Sequence, residues 1–217
     1  FILVIIIVLL IIYLKWIIRR VGENKKEVYA RLNQRAKKES IVFLGDSITE
    51  FFRLDEFFSG VDVINRGIAA NTTIDVINRL HDNCINISPR KVFLQIGTND
   101  LGEKKKVDYI FENIINIINT LKNALPQVEI IVLSLYPVNN KGLRNKIIVG
   151  RRKNKDIDYL NSLLTSYCDD NNLIFIDVAS HLKDENGILK KEYTLDGLHL
   201  NSYGYLKVTE VINKYVF

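Results

Sequence analysis

The stretch Ile41-Val-Phe-Leu-Gly-Asp-Ser-Ile-Thr-Glu50 decides how the rest of the chain is interpreted. Its first four residues, Ile41 to Leu44, have the length and β-branched content of a buried strand. Gly45 permits a sharp turn after this strand, and a helix can begin just beyond it. Ser47 would then lie at the carboxyl end of a strand and at a helix N-terminus, where open α/β sheets bind ligands. The tripeptide Gly-Asp-Ser alone fits a simple turn with a helix cap equally well.

Apolar runs alternate with helical patterns along the rest of the sequence. Four more strands are predicted over residues 61–65, 92–96, 128–135 and 173–178. Helices are predicted over residues 72–80, 107–125, 156–168 and 202–216, and a polar loop over residues 137–154. Because several strands are apolar on both faces, the pattern favours a parallel sheet that is covered on two sides.

Length and composition indicate one domain plus an appendage. The chain has 217 residues, of which 47% are hydrophobic, and a formal net charge of +5. Cys84 and Cys168 each end a helical pattern and lack metal-ligand spacing, which favours free, buried thiols and leaves a disulfide between them open. We expect no metal and no cofactor. We expect no nucleic-acid partner either, because basic residues are not interleaved with aromatic ones.

The first 20 residues predict a transmembrane anchor. Residues 1–18 are apolar except for Lys15, and Tyr13, Trp16, Arg19 and Arg20 resemble an interfacial belt. A signal-peptide core is the alternative, but no Ala-x-Ala cleavage site follows. Residues 21–39 are charged and predict a juxtamembrane linker or a short exposed helix, so the domain is expected over residues 40–217.

The predicted location is therefore a single-pass membrane protein, with its side of the membrane undecided. Eight basic residues follow the apolar run, which favours a cytoplasmic domain by the positive-inside rule. Because the chain has no Met and begins at Phe1, we expect further residues before it, and their charge could reverse this orientation.

Three further sites fall on the same rim of the predicted sheet. Gly67 follows the second strand and lets the backbone approach a ligand. Asn99 lies in Gly97-Thr-Asn-Asp100 after the third strand, and can point its amide into a cleft or simply form a turn. Asp196-Gly-Leu-His199 precedes the last helix, and its spacing allows the carboxylate to reach one imidazole nitrogen.

These four segments, in this order, resemble the blocks of the SGNH (GDSL-type) hydrolase superfamily, over a match from about Glu39 to the C-terminus. Within it, the likeness is greatest to platelet-activating-factor acetylhydrolase-like and lysophospholipase L1-like esterases. Ala69-Ala70-Asn71 departs from the Gly- and Asp-rich stretch of many relatives. The resemblance implies a three-layer α/β/α flavodoxin-like domain with five parallel strands in the order 2-1-3-4-5.

The resemblance also implies a role for each of these residues. Ser47 would be the nucleophile, His199 the base that takes its proton, and Asp196 the group that orients His199. The oxyanion hole would consist of the N–H groups of Ser47 and Gly67 and the side-chain amide of Asn99. His81 and His181 are expected to be surface and loop residues.

The resemblance implies a membrane-anchored esterase for short acyl groups, acetyl above all. Two substrate classes compete, a lysophospholipid or similar lipid ester and an O-acetylated cell-envelope glycan. The second is suggested if the domain faces outward, and the resemblance favours this extracytoplasmic side of the membrane. Other classes of function are a tethered carbohydrate- or lipid-binding module without turnover, and a nucleotide binder, which would need a Gly-rich phosphate loop that is missing after the first strand. The basic residues of the 137–154 loop fit either an anionic partner or a solvated surface.

Overall fold

The computed structural model describes residues 2–217. Within them the chain forms ten α-helices and five strands. The helices are α1 (Ile2–Leu32), α2 (Ser47–Glu50), α3 (Leu54–Phe57), α4 (Thr73–Asn83), α5 (Thr98–Gly102), α6 (Val107–Ala124), α7 (Leu143–Val149), α8 (Asn154–Asp170), α9 (Ala179–Leu182) and α10 (Ser202–Val216). The strands are β1 (Ile41–Gly45), β2 (Val63–Gly67), β3 (Lys91–Gln95), β4 (Glu129–Leu133) and β5 (Ile174–Ile176).

The five strands form one parallel sheet in the order β2-β1-β3-β4-β5, which confirms the predicted topology. Strand β1 is central and pairs with β2 and β3, with Gly45 opposite Gly67 on one side and opposite Gln95 on the other. All carboxyl ends therefore meet at one edge, where the strand order reverses between β1 and β3 and open sheets bind ligands.

Both faces of the sheet are buried, as the apolar strands predict. One set of alternating side chains, including Val42, Leu44 and Val92, packs under α4, α6 and α8. The other set, including Phe43 and Phe93, packs under α10 and the short helices α2, α3 and α9. Because a different helix layer covers each face of the sheet, the side chains on both faces of every central strand must be apolar.

The predicted transmembrane anchor over residues 1–20, and with it the single-pass membrane location, is wrong. Among residues 2–217, no helix has the length and apolar character needed to cross a bilayer. The apolar run is instead the first half of a single 31-residue helix, α1, which continues through Arg19 and Arg20 into a charged second half. Phe1 lies outside the described residues.

The second half of α1, predicted as part of a charged linker, lies against the domain. The Tyr29 hydroxyl donates to the Gly67 carbonyl at 3.1 Å, and Lys25 pairs with Glu50. The Asn83 side chain donates to the Lys26 carbonyl at 3.1 Å. These contacts fix the helix on the edge of the sheet where β2 ends.

The predicted 137–154 loop contains the seven-residue helix α7. Gly142 before it and Gly150 after it both have positive φ, 87° and 61°, which glycine adopts without strain. The chain then returns through Arg152 to the start of α8, so this segment passes over the carboxyl edge of the sheet.

Candidate active site

Ser47 is the first residue of α2, immediately after the turn that ends β1. The Asp46 carboxylate accepts from the Ile48 N–H at 2.9 Å and so caps this short helix. Ser47 is 7% exposed, and its backbone N–H has no acceptor among residues 2–217. The strand and turn therefore fix a nearly buried hydroxyl at the sheet edge beside a free N–H donor.

His199 and Asp196 lie within hydrogen-bonding reach of that hydroxyl. His199 Nε2 is 3.1 Å from Ser47 Oγ, and His199 Nδ1 is 2.8 Å from Asp196 Oδ2. An ionised carboxylate can only accept, so Nδ1 must carry the ring proton and Nε2 is left to accept from the serine. The structure thus brings together three residues separated by up to 152 positions in sequence.

The Asp196 carboxylate is held in its ionised form. Burial alone would raise its pKa, but hydrogen bonds from the His199 side chain and from the backbone N–H groups of His199 and Leu198 hold the pKa below its ordinary value. Oδ1 accepts both backbone N–H groups, at 2.8 and 3.0 Å, which leaves Oδ2 to the imidazole. The carboxylate can therefore orient the ring and stabilise a positive charge on it.

The loop that carries Asp196 and His199 is fastened at two points. Thr194 Oγ1 donates to the His199 carbonyl at 2.8 Å and accepts from the Gly197 N–H at 2.8 Å. The Asn139 N–H, beyond β4, donates to the Gly197 carbonyl at 2.8 Å. A side chain at Gly197 would collide with the Asn139 carbonyl, and its φ is +87°, so only glycine suits this turn.

The Asn99 side chain lies in the first turn of α5 and reaches Asp46, the residue before Ser47. Its Nδ2 donates to the Asn71 carbonyl at 2.9 Å and lies 3.4 Å from Asp46 Oδ2. Its Oδ1 accepts from Arg152 Nη2 at 2.8 Å, which settles which end of the amide is the donor. Because the contact with Asp46 is long, one Nδ2 hydrogen is available to another acceptor.

The N–H of Gly67, expected as a second donor, is occupied. It donates to Asn65 Oδ1 at 2.8 Å. The next turn offers a different donor, because Ala70 has φ of +63° and its N–H has no acceptor in the part of the chain that the structure describes. That turn is closed by the Asn71 N–H on the Ile68 carbonyl at 3.1 Å, and Asn99 binds its far end.

Two arginines support this turn and α5, and neither is distinguishable in the sequence from other basic residues. Arg79 on α4 donates to the Gly45 carbonyl at 2.9 Å and to the Asn71 side chain at 2.7 Å. Arg152 binds both Asn99 and the Thr98 carbonyl, the latter at 2.8 Å. The sequence places Arg79 within a helix stripe and Arg152 among the six cations of the 137–154 loop, so only the folded contacts identify them.

Asp46 is an unusual neighbour for an anion-binding site. Burial raises its pKa to about 6, against the hydrogen bond from Ile48 and the charges of Arg152 and His199, which lower the pKa. With a pKa near 6 it is largely ionised at neutral pH, so the charges of Arg152 and His199 must offset its repulsion of an anion at Ser47.

The remaining candidate groups lie elsewhere. His81 and His181 are exposed on α4 and α9, and Cys84 and Cys168 are free and buried. Burial raises the pKa of both thiols, so neither is a ready nucleophile. Within residues 2–217, no group of three or more His, Cys, Asp or Glu side chains is placed to hold a metal ion.

A hydroxyl, an imidazole and a carboxylate in series, beside unpaired N–H donors, are the parts that nucleophilic acyl transfer requires. The chain belongs to the GDSL-like Lipase/Acylhydrolase family, whose sequence profile matches residues 43–207. It is an SGNH serine esterase, as the motifs indicate.

Known proteins resemble the chain at several levels. A Streptococcus pneumoniae structure described as a platelet activating factor is 31% identical, with a TM-score of 0.91 over 97% of this chain and 99% of that one. An acylhydrolase from Bacteroides fragilis is 27% identical, with a TM-score of 0.77 over 87% and 93% of the two chains. The N-acylneuraminate cytidylyltransferase of Escherichia coli is 28% identical over 83% of this chain. This chain spans only 42% of that relative's length.

Proposed function

We propose that the protein hydrolyses short-chain esters, acetyl esters above all, through an acyl-enzyme on Ser47. In the first step Ser47 Oγ attacks the ester carbonyl while His199 Nε2 takes the hydroxyl proton, and His199 then returns the proton to the departing alcohol. Water, deprotonated by the same imidazole, attacks the acyl-enzyme and releases the acid and free Ser47. Asp196 keeps His199 in the required tautomer throughout.

The oxyanion would be stabilised by the N–H groups of Ser47 and Ala70 and by Asn99 Nδ2. Ala70 replaces Gly67 in this proposal because the Ala70 N–H is unpaired among residues 2–217, whereas the Gly67 N–H is bound to Asn65. Donors fixed before the reaction stabilise the transition state without reorganising, and each contributes about 10²- to 10³-fold to the rate.

One observation carries the proposal: the two contacts of 3.1 and 2.8 Å that join Ser47, His199 and Asp196. A helix cap would explain Ser47 and a turn would explain Asp196, but neither explains an imidazole placed between them. His199 accepts from Ser47 at Nε2 and donates to Asp196 at Nδ1, which are the roles of a general base held by an orienting group.

Between the two substrate classes we propose the acetylated glycan. The predicted membrane anchor, which suggests the lipid ester without choosing between the two classes, has no counterpart among residues 2–217. The relatives from Escherichia coli and Streptococcus agalactiae are named for an N-acylneuraminate, a sugar acid. A sugar ester is a compact substrate that suits an open site at a sheet edge.

A basic groove beside α5 supports an acidic glycan. It has a volume of about 580 Å³ and begins two residues beyond Asn99. Five cations and two carboxylates line it with three other side chains: Leu101, Lys104, Lys105, Lys106, Val107, Asp108, Arg151, Lys153, Asp156 and Tyr159. Such an excess of positive charge attracts anionic substrates and raises their local concentration.

Removal of the serine hydroxyl tests the chemistry. Ser47→Ala should lower kcat for p-nitrophenyl acetate by about 10⁴-fold or more, as loss of a triad nucleophile does. Ser162→Ala, which removes an exposed hydroxyl on α8, is the matched control and should keep wild-type turnover. A serine-directed phosphonate should add its mass to the peptide containing Ser47. Undiminished turnover by folded Ser47→Ala would refute the proposed nucleophile.

A substrate panel tests the class of ester. Acetylated acidic sugars, acetylated neutral sugars and lysophospholipids should be compared by kcat/KM at low and high salt. We expect the acidic sugars to have the highest value and the value to fall with salt, because exposed charges are screened. A preference for lysophospholipids would overturn the glycan assignment and leave the esterase chemistry intact.

A further inference from the structure

Residues 137–154 contain six Lys and Arg residues and are called the basic segment. Arg152 joins this segment to α5, the helix that carries Asn99. Its Nε donates to the Thr98 carbonyl at 2.8 Å, and its Nη2 donates to Asn99 Oδ1 at 2.8 Å. On the other side, Nη1 donates to the carbonyl of Val149, the last residue of α7, at 3.0 Å. Nη1 also lies 3.4 Å from the Ile148 carbonyl. One planar guanidinium therefore ties two separate elements at the sheet edge, with its donors directed at four fixed acceptors.

The environment of this guanidinium is fitted to it. The Gly102 backbone packs closely against the guanidinium, so a Cβ at Gly102 would lie 2.7 Å from Arg152 Cζ. Burial lowers the pKa of Arg152, with the Asp46 charge acting in the opposite direction. Among residues 2–217 no carboxylate forms a salt bridge with it, so no ion pair offsets the cost of desolvating the charge. In return for that cost, the buried guanidinium holds the Asn99 side chain by its Oδ1.

That contact decides what Asn99 can do. With Oδ1 held by a cation, the amide cannot flip, and Nδ2 is directed to the Asn71 carbonyl and to Oδ2 of Asp46, the residue that precedes Ser47. The guanidinium charge beside the amide oxygen also polarises the amide, which makes the Nδ2 hydrogens stronger donors. Both effects increase in value when negative charge develops next to Nδ2.

We propose that Arg152 is a positioning residue of the ester hydrolysis, which orients and polarises Asn99 as an oxyanion donor. The inference rests on the proposed function, since it assigns Arg152 a part in the same reaction. It also gives the basic segment a specific role, because one of its cations acts on the site through the Asn99 side chain. The neighbours of Arg152 on the exposed surface of the segment do not share this contact.

Steady-state kinetics of the full chain test the proposal. Arg152→Met removes the fork and the charge, and Arg152→Lys keeps a charge without the fork. Both should lower kcat for p-nitrophenyl acetate by about 10- to 100-fold with KM changed less than about twofold, because a misplaced donor affects the transition state alone. Arg144→Met, which removes an exposed cation of α7, should match wild type. Full rescue by Arg152→Lys would overturn the role of the fork.

A double-mutant cycle separates positioning from general stability. If Arg152 acts through Asn99, then adding Arg152→Met to Asn99→Ala should lower kcat by less than about twofold further. A structural role predicts that the two losses multiply, and multiplied losses would overturn the proposal. Circular dichroism and thermal melting confirm that each variant compared is folded.

A spectroscopic measurement keeps the test independent of turnover. In the Ser47→Ala background, Arg152→Met should shift the Asn99 side-chain ¹H–¹⁵N signals, and Arg144→Met should not. An unshifted signal would overturn the proposed coupling even in an active esterase. Conversely, if Ser47→Ala retains turnover, the proposed function fails while the coupling between the two side chains is still measured.

Discussion

Replacing Asp46 with asparagine removes a charge that the fold buries beside Ser47. Asp46 is 2% exposed, and asparagine has nearly the same shape. Its Oδ1 can still accept from the Ile48 N–H, so the cap on α2 is kept. Its Nδ2, however, would replace the Oδ2 that lies 3.4 Å from Asn99 Nδ2, which sets one donor against another. The variant therefore exchanges a buried charge for a mismatched amide.

The pH dependence of stability isolates the charge from the mismatch. Burial raises the pKa of Asp46 from 3.8 to about 6, so the folded state binds this proton more tightly than the unfolded state does. The favourable contribution of the protonated group is complete below pH 3.8 and is lost as pH rises through 6. A pKa difference of this size corresponds to about 3 kcal/mol. The mismatched amide does not titrate, and shifts the variant's stability equally at every pH.

Urea unfolding between pH 4 and pH 8, followed by circular dichroism, measures this difference. The free energy of unfolding of Asp46→Asn, relative to wild type, should rise by most of about 3 kcal/mol across the range. Asp55→Asn, an exposed carboxylate on α3, is the matched control and should show no comparable rise. If the relative stability of Asp46→Asn stays constant with pH, the buried carboxyl does not carry the charge cost deduced from its surroundings.

Two further substitutions test how the site is supported. Asn33→Ala removes the side chain that accepts from both Nε and Nη2 of buried Arg66, and should lower the free energy of unfolding by about 1–3 kcal/mol in urea titrations; an unchanged midpoint would show that water replaces the lost acceptor. Gly45→Ala places a methyl group against the Gln95 carbonyl and the Thr49 side chain, and should cost about 3 kcal/mol or more, seen as a loss of folded protein on size exclusion; a wild-type melting temperature would contradict the close approach.

The sequence predicts the α/β/α layers because each central strand has apolar side chains on both of its faces. A strand with a helix layer on either side has this composition, and the ends of β1 and β3 then place Ser47 and Asn99 on one edge. The spacing of Asp196 and His199 likewise defines a local turn, which the structure closes with two backbone hydrogen bonds on one carboxylate oxygen. This turn follows from the spacing of the residues, whereas the strand order follows from the resemblance to the SGNH superfamily.

Other parts of the site could not be predicted, because they depend on contacts between distant segments. Ala70 adopts a left-handed turn that no glycine signals. The occupied N–H of Gly67 depends on how the Asn65 side chain folds back. The transmembrane prediction for residues 1–20 fails for a related reason. Composition does not show that the apolar run continues into a charged half of the same helix, which contacts the domain.

The electrostatics of the edge explain why these unpredicted contacts matter. Arg79 and Arg152 both direct guanidinium groups at the turns around Ser47, and neither forms a salt bridge within residues 2–217. Their charge is therefore not cancelled locally and acts on the space where a carbonyl oxygen would become negative. The nearest carboxyl, Asp46, has a pKa raised by burial to about 6, so at neutral pH most of it carries a charge that opposes this potential. The two guanidinium groups and the free N–H donors together favour an oxyanion at Ser47 over a neutral ester, and that difference would accelerate acyl transfer.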